Sequence, residues 1–321
     1  MTAKTPHDAS IRAGVVGAGF FGRLHGQKLS AIPGVTLVGI ADPMAQAAAE
    51  AAAKLHCAPF ASWRDLVGKV DVVSVASPAS THAEAAIGLL AAGIHVLVEK
   101  PIATSLADAD AIIAAAKASG RVLTSGHQER YVFAQSGLLS RKVKPVSIEC
   151  VREGVPNGRG LDVSIVLDLM IHDLDLVHQI MTGPPATVTA MTRAQDGNSA
   201  DDTVADLGFA GCKVRLTASR IARERKRTMR LVYPDGEIAI DFLARTLTNT
   251  TPEPLKPAFQ GIGEWEGTAP RIADDPLGYA IGRFVHEVRT GVPALVRPEE
   301  ARMALATALR VIDAARKATK G

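Results

Sequence analysis

"IRAGVVGAGFFGRLHGQKLS", residues 11–30, decides how the rest of the chain is read. It opens as an apolar run, breaks at Gly17, Gly19 and Gly22, and then continues with helix-forming residues. A glycine at the first position permits a tight turn, at the second lets backbone approach a pyrophosphate, and at the third lets a helix pack closely on the strand. The phosphates then lie on a helix N-terminus, where backbone N–H groups lack intrahelical partners. A lone G-x-G-x-x-G is weak evidence, since glycine turns occur in many α/β proteins. Here a strand-like run precedes it, a helix-like run follows, and Asp42 ends the next apolar run, "VTLVGIAD", 20 residues after Gly22. A carboxylate there accepts hydrogen bonds from a free ribose 2′-OH and repels a 2′-phosphate, and "DPMAQ" (42–46) has no arginine to neutralise one. The expected cofactor is therefore NAD, held by Gly17, Gly19, Phe20, Phe21, Gly22 and Asp42.

The same alternation runs outward from this stretch. Apolar, β-branched runs at 11–16, 35–42, 71–78, 95–101 and 121–126 read as strands covered on both faces. Alanine-rich helical stretches at 20–31, 43–55, 81–93 and 105–118 separate them. Strand then helix, repeated, means a parallel sheet with right-handed crossovers. After residue 126 the pattern changes to one long helical stretch, 164–183, followed by alternating segments bounded by turn residues. "YPDGEI" (233–238) is a hairpin signal, because Asp-Gly supplies the positive φ of a tight primed turn. Two helices, near 276–290 and 298–317, close the chain. The fold class expected is α/β, with an N-terminal Rossmann domain over 1–126 and a C-terminal α+β domain over 127–321. The first carries a parallel sheet; the second carries a mostly antiparallel sheet, binds substrate and mediates assembly.

Composition narrows the partners. The 321 residues are 47% hydrophobic and 21% charged, enough apolar material for two cores. A net charge of +3 from 36 basic and 33 acidic residues is a mixed surface, not that of a nucleic-acid binder. Cys57, Cys150 and Cys212 match no metal or disulfide spacing, as expected for a cytoplasmic protein. No run reaches the roughly 18 apolar residues of a membrane span.

Two further stretches carry chemistry. "HVLVEKPIA" (95–103) places Glu99 and Lys100 at the end of an apolar strand, although both residue types are rarely buried without a partner. In an open parallel sheet, ligands bind outside the carboxyl ends of the strands. Glu99 and Lys100, and Ser77, Pro78 and His82 of "SPASTH" (77–82), therefore stand on the rim of the glycine loop and join the expected cofactor set. In "LDLMIHDLDL" (167–176), Asp168, His172 and Asp175 are spaced i, i+4, i+7 and share one face of an ideal helix. That spacing also suits a metal-ligand pair, but no second His, Glu or Cys cluster backs it. A buried core histidine is the other competing reading.

"GAGFFG" (17–22), "EKP" (99–101) and "LDLMIHDLDL" together resemble the glucose-fructose oxidoreductase / inositol dehydrogenase group, Gfo/Idh/MocA, over essentially the whole chain. The resemblance implies that Lys100, Asp168 and His172 form the catalytic group, that the long helix lies against the nicotinamide, and that the protein assembles as a homodimer or homotetramer through its second sheet. Imidazole titrates near neutral pH, so His172 suits a general base for a secondary hydroxyl. A cationic Lys100 would stabilise the developing alkoxide, and Asp168 would orient the substrate or the histidine. Which of them accepts the proton stays open.

"GHQERY" (126–131) resembles the stretch that marks bacterial UDP-N-acetylhexosamine 3-dehydrogenases, and it makes His127 and Arg130 candidate substrate residues. Arg152 and Arg159 of "VREGVPNGRG" and Arg220 of the basic run "SRIARERKRTMR" (219–230) are candidates for a diphosphate. The expected activity is oxidation of a secondary hydroxyl of a sugar or nucleotide sugar, with C3 of a UDP-N-acetylhexosamine the specific expectation. Inositol or free-sugar oxidation, and imine or aldehyde reduction, are the alternatives. A non-catalytic NAD-binding regulator is the alternative of another class, opposed by the presence of Lys100, Asp168 and His172 together.

Overall fold

The computed structural model describes residues 10–134, 136–156, 163–181, 183–193, 201–255 and 275–320. The chain divides into two compact units, Met1–Tyr131 with Gly263–Arg302, and Val132–Ile262 with Met303–Gly321.

The first unit is a six-stranded, all-parallel sheet. Its strands are β1 (Ile11–Val16), β2 (Val35–Ala41), β3 (Ala58–Phe60), β4 (Val72–Val75), β5 (His95–Val98) and β6 (Leu123–Ser125), in the order β3-β2-β1-β4-β5-β6. Helices α1 (Phe20–Ser30), α2 (Ala45–Leu55), α3 (His82–Ala91) and α4 (Leu106–Ser119) make the crossovers, and a short helix, α5 (Glu129–Ala134), follows β6. Strand order reverses between β1 and β4, which is where an open α/β sheet forms its ligand crevice. β3 had no signal in the sequence. Its three residues are too few for a period, and Pro59 is tolerated only because β3 lies at the sheet edge.

One helix lies outside the division expected at residue 127. α7 (Pro276–Thr290) belongs to the first unit, where Leu277, Ile281, Phe284 and Val285 share a buried core with Ile11, Ala13, Val15, Leu29, Leu37 and Ile40. The spacing i, i+4, i+7, i+8 puts those four side chains on one helix stripe. The Lys28 ammonium pairs with the Asp275 carboxylate at 2.6 Å, and Arg289 donates to the Pro33 carbonyl at 2.7 Å.

The second unit holds a seven-stranded sheet formed by β7 (Ser147–Glu153), β8 (Thr187–Arg193), β9 (Asp202–Phe209), β10 (Cys212–Ser219), β11 (Lys226–Tyr233), β12 (Gly236–Asp241) and β13 (Thr246–Asn249). The order is β13-β12-β11-β7-β10-β9-β8, antiparallel except where β10 runs parallel to β7. Ile148, Cys150, Val214, Leu216, Leu207, Met229 and Leu231 point into the buried side. A helical stretch follows β7, with a π turn over Val166–Met170 running into α6 (Ile171–Ile180). The other sheet face is less apolar than the alternation in "TVADLGFA" and "TMRLVY" suggests. In register across it run Ala239, Arg230, Glu149, Arg215, Asp206 and Thr189, a ladder of alternating charge beside Val151, Val204 and Val232. α8 (Pro298–Lys320) ends the chain, and the division between units falls within it. Among the described residues no helix is long and apolar enough to cross a membrane.

Candidate active site

The three glycines of the first loop are required for different reasons. Gly17 has φ +100°, and a Cβ there would sit 2.7 Å from the Ala76 carbonyl oxygen. A Cβ on Gly22 would lie 1.7 Å from the Gly17 carbonyl oxygen. Both are fixed by the protein's own packing. Gly19 is not: it caps α1 with φ −66°, which any residue adopts, and a Cβ on it would meet nothing within 4 Å. The space over Gly19 adjoins the first turn of α1, where N–H groups have no acceptor within the helix and suit the pyrophosphate of NAD. Gly19→Ala is accordingly expected to leave the thermal midpoint unchanged while weakening NADH binding, whereas Gly22→Ala destabilises the fold; equal midpoint losses in both, read by thermal melts, would contradict this.

Asp42 follows β2 and reaches back to the loop. Its Oδ2 accepts from the Ala18 N–H at 2.8 Å and its Oδ1 from the Met44 N–H at 2.9 Å. Each oxygen keeps acceptor capacity for a ribose hydroxyl. Phe20 and Phe21 are exposed at the start of α1, edge to face with ring centres 5.5 Å apart. These residues fit NAD.

At the ends of β4 and β5, Ser77 is half-buried, Pro78 is exposed, and Lys100 is half-buried on the same rim. Two residues expected beside them face inward instead. The ring nitrogens of His82, which is buried, lie 2.9 Å from the carbonyl oxygens of Pro101 and Ser77, so the imidazole sits between the two strand ends. Glu99 is also buried; its Oε1 lies 3.0 Å from Nε2 of His25 in α1, and its Oε2 accepts the Lys100 backbone N–H at 3.2 Å. Burial raises its pKa, yet the His25 hydrogen bond and charge, with the Lys100 charge, outweigh that and hold the carboxyl below its usual value. His25 and its second partner, Ser74, were not singled out in the sequence. The available signal was a histidine on the face of α1 shared by Gly22, Gly26 and Leu29, and a serine inside the apolar run "DVVSVAS", two polar groups at core positions that require partners.

In the second unit, Asp168 lies in the π turn and His172 in the first turn of α6. The Ile171 N–H reaches back five residues to the Val166 carbonyl. That wide turn rotates Asp168 away from the straight i, i+4 alignment with His172 expected of an ideal helix. Asp168 is accordingly half-exposed, whereas His172 and Asp175 are buried. Among the described residues no group of three or more His, Cys, Asp or Glu is placed to hold a metal.

The candidate substrate residues separate. Arg152 is 1% exposed, with Nε and Nη2 donating to Asp173 at 3.1 and 2.7 Å in a buried ion pair. Arg130 is likewise buried and paired with Glu300, a carboxylate that also holds Arg297. His127 is buried. Arg220 donates from Nη2 to the Val163 carbonyl at 3.2 Å and lies 3.9 Å from Asp201, at the entry to the helical stretch carrying Asp168. Arg223 and Arg225 are exposed, and Arg159 lies outside the described residues.

Comparison with known proteins agrees with this geometry. Residues 11–127 match the "Oxidoreductase family, NAD-binding Rossmann fold", and residues 157–239 match the "GFO/IDH/MocA C-terminal domain". The chain is 35% identical over 314 residues to UDP-N-acetylglucosamine 3-dehydrogenase from Acidithiobacillus ferrooxidans, covering 94% of this chain and 96% of that enzyme. A solved structure of that enzyme superposes with a TM-score of 0.84, covering 95% of this chain and 97% of the other. Inositol 2-dehydrogenase of Streptomyces avermitilis is 30% identical over 207 residues, 61% of this chain and 60% of that enzyme. The WlbA dehydrogenase of Bordetella pertussis, solved with NADH and UDP-GlcNAcA, shares the fold at 20% identity, with a TM-score of 0.82 over 97% of each chain. With both of its domains matched, and a glycine loop and Asp42 built for NAD, this chain belongs to the Gfo/Idh/MocA family of NAD-binding oxidoreductases.

Proposed function

We propose that this enzyme oxidises the C3 hydroxyl of a UDP-N-acetylhexosamine, with UDP-N-acetylglucosamine as the first substrate to test. The observation that carries the reading is the likeness, along 94% of the chain, to a UDP-N-acetylglucosamine 3-dehydrogenase. Bound on the rim beside Gly19 and Asp42, NAD supplies the hydride acceptor. The chain's own groups do the rest: His172 takes the hydroxyl proton, Lys100 holds the oxygen as negative charge develops on it, and Asp168 orients the sugar or the imidazole. Arg220 is the substrate arginine favoured by its place beside the Asp168 helix, with Arg223 and Arg225 exposed in the following turn. The reading includes assembly as a homodimer or homotetramer through the charged-ladder face of the second sheet, measurable by light scattering, and a cytoplasmic location, where Cys57, Cys150 and Cys212 stay free.

The test is NADH formation from UDP-N-acetylglucosamine, free N-acetylglucosamine and myo-inositol. The nucleotide sugar is expected to give the highest kcat/KM by at least tenfold, because binding of the remote nucleotide positions the reacting carbon. A better rate with the free sugar or with inositol, the substrate type named for the Streptomyces avermitilis relative, would overturn the choice of substrate.

A further inference from the structure

We infer that Ser74, His25 and Glu99 form a buried relay that positions Lys100 and ties it to the cofactor loop. This rests on the reading of Lys100 as the group at the reacting oxygen. None of the three touches a reacting atom, so they are positioning residues.

The relay runs through a side-chain hydrogen bond, an ion-pair contact and a backbone hydrogen bond. Ser74 Oγ lies 2.6 Å from His25 Nδ1, His25 Nε2 lies 3.0 Å from Glu99 Oε1, and Glu99 Oε2 accepts the Lys100 N–H. It joins three elements: Ser74 sits in β4, His25 in α1 and Glu99 just past β5. α1 begins at the glycine loop, so a rigid helix links the pyrophosphate site to the residue that holds the Lys100 peptide. The end of β6 is shaped around the same carboxylate, for a Cβ on Gly126 would fall 2.6 Å from Glu99 Oε1.

A buried carboxylate, imidazole and hydroxyl are costly to place where apolar side chains would pack as well. What they supply is fixed charge at a defined point. The groups facing Glu99 are His25 from α1 and the Lys100 ammonium beside it, and both act to hold its carboxyl below the usual value. In the proposed reaction that ammonium meets a developing alkoxide, so its position and charge both bear on the rate.

The experiment compares full-length wild type with Glu99→Gln, Ser74→Ala and Lys100→Ala. Glu99→Gln keeps the shape and removes the charge. The rate of Lys100 acetylation by acetic anhydride at fixed pH, measured against the exposed Lys54 by peptide mass spectrometry, needs no substrate; it is expected to rise at least threefold in Glu99→Gln as the released lysine gains access to solvent. With NAD and UDP-N-acetylglucosamine, kcat is expected to fall on the order of 10- to 100-fold in that variant, with KM values held within about threefold. Ser74→Ala should move both readouts the same way by less, and it carries the comparison if Glu99→Gln fails to fold. An unmoved acetylation rate with kcat within twofold of wild type, alongside an inactive Lys100→Ala, would overturn the relay alone. Full turnover in Lys100→Ala would instead overturn the reading of Lys100, and the relay's part in the reaction with it.

Discussion

Lys100→Ala is expected to lower kcat by roughly 10³-fold, about 4 kcal/mol of transition-state stabilisation, while the affinity for NADH changes far less. The reason lies in where charge appears. The substrate hydroxyl is neutral in the ground state and becomes alkoxide-like as hydride departs, so an ammonium at that oxygen acts mainly in the transition state. Lys100 stands half-buried at the rim beside the reversal of strand order, where desolvation strengthens such an interaction. Steady-state kinetics and NADH fluorescence titration separate the two possibilities: a variant with normal turnover and weakened NADH binding would make Lys100 a cofactor ligand only.

Asp173→Ala is expected to destabilise the second unit by about 3–5 kcal/mol, because it leaves the Arg152 guanidinium charged and buried without this carboxylate. Both side chains of the pair are 2% exposed. Arg152→Ala should cost about as much, and the double variant Arg152→Met, Asp173→Leu should recover most of the loss, since apolar residues of similar volume can replace a buried ion pair. Denaturant melts of the three variants measure this. Native stability in Arg152→Ala with a raised KM for the nucleotide sugar would return Arg152 to the substrate site.

The contrast between these two residues shows which parts of the site were legible in the chain. Lys100 could be placed because it ends an apolar run in a parallel sheet, and strand ends on one side of such a sheet form a single rim. Arg152 looked like a phosphate ligand because it precedes a glycine-rich loop. Its partner lies on a helix 21 residues away, and only the register of β7 against that helix brings the two together. Arg130 likewise pairs with a carboxylate 170 residues distant, a contact that no local pattern reveals.

What the sequence alone determined were features set by short-range chemistry: the parallel sheet from apolar period and alanine-rich crossovers, the loop from glycine spacing, and the preference for NAD from one carboxylate. Tertiary structure decided the rest. An amphipathic stripe says that α7 must be covered, but not that its cover is the first unit's core. A helical period near i, i+4 is silent about a π turn, which rotates Asp168 relative to His172 and is recorded only in the backbone. And Glu99, a charged residue at a strand end, reads locally as a ligand group; that its carboxylate turns inward to His25 depends on packing α1 against β4 and β5, a long-range choice that no window of sequence contains.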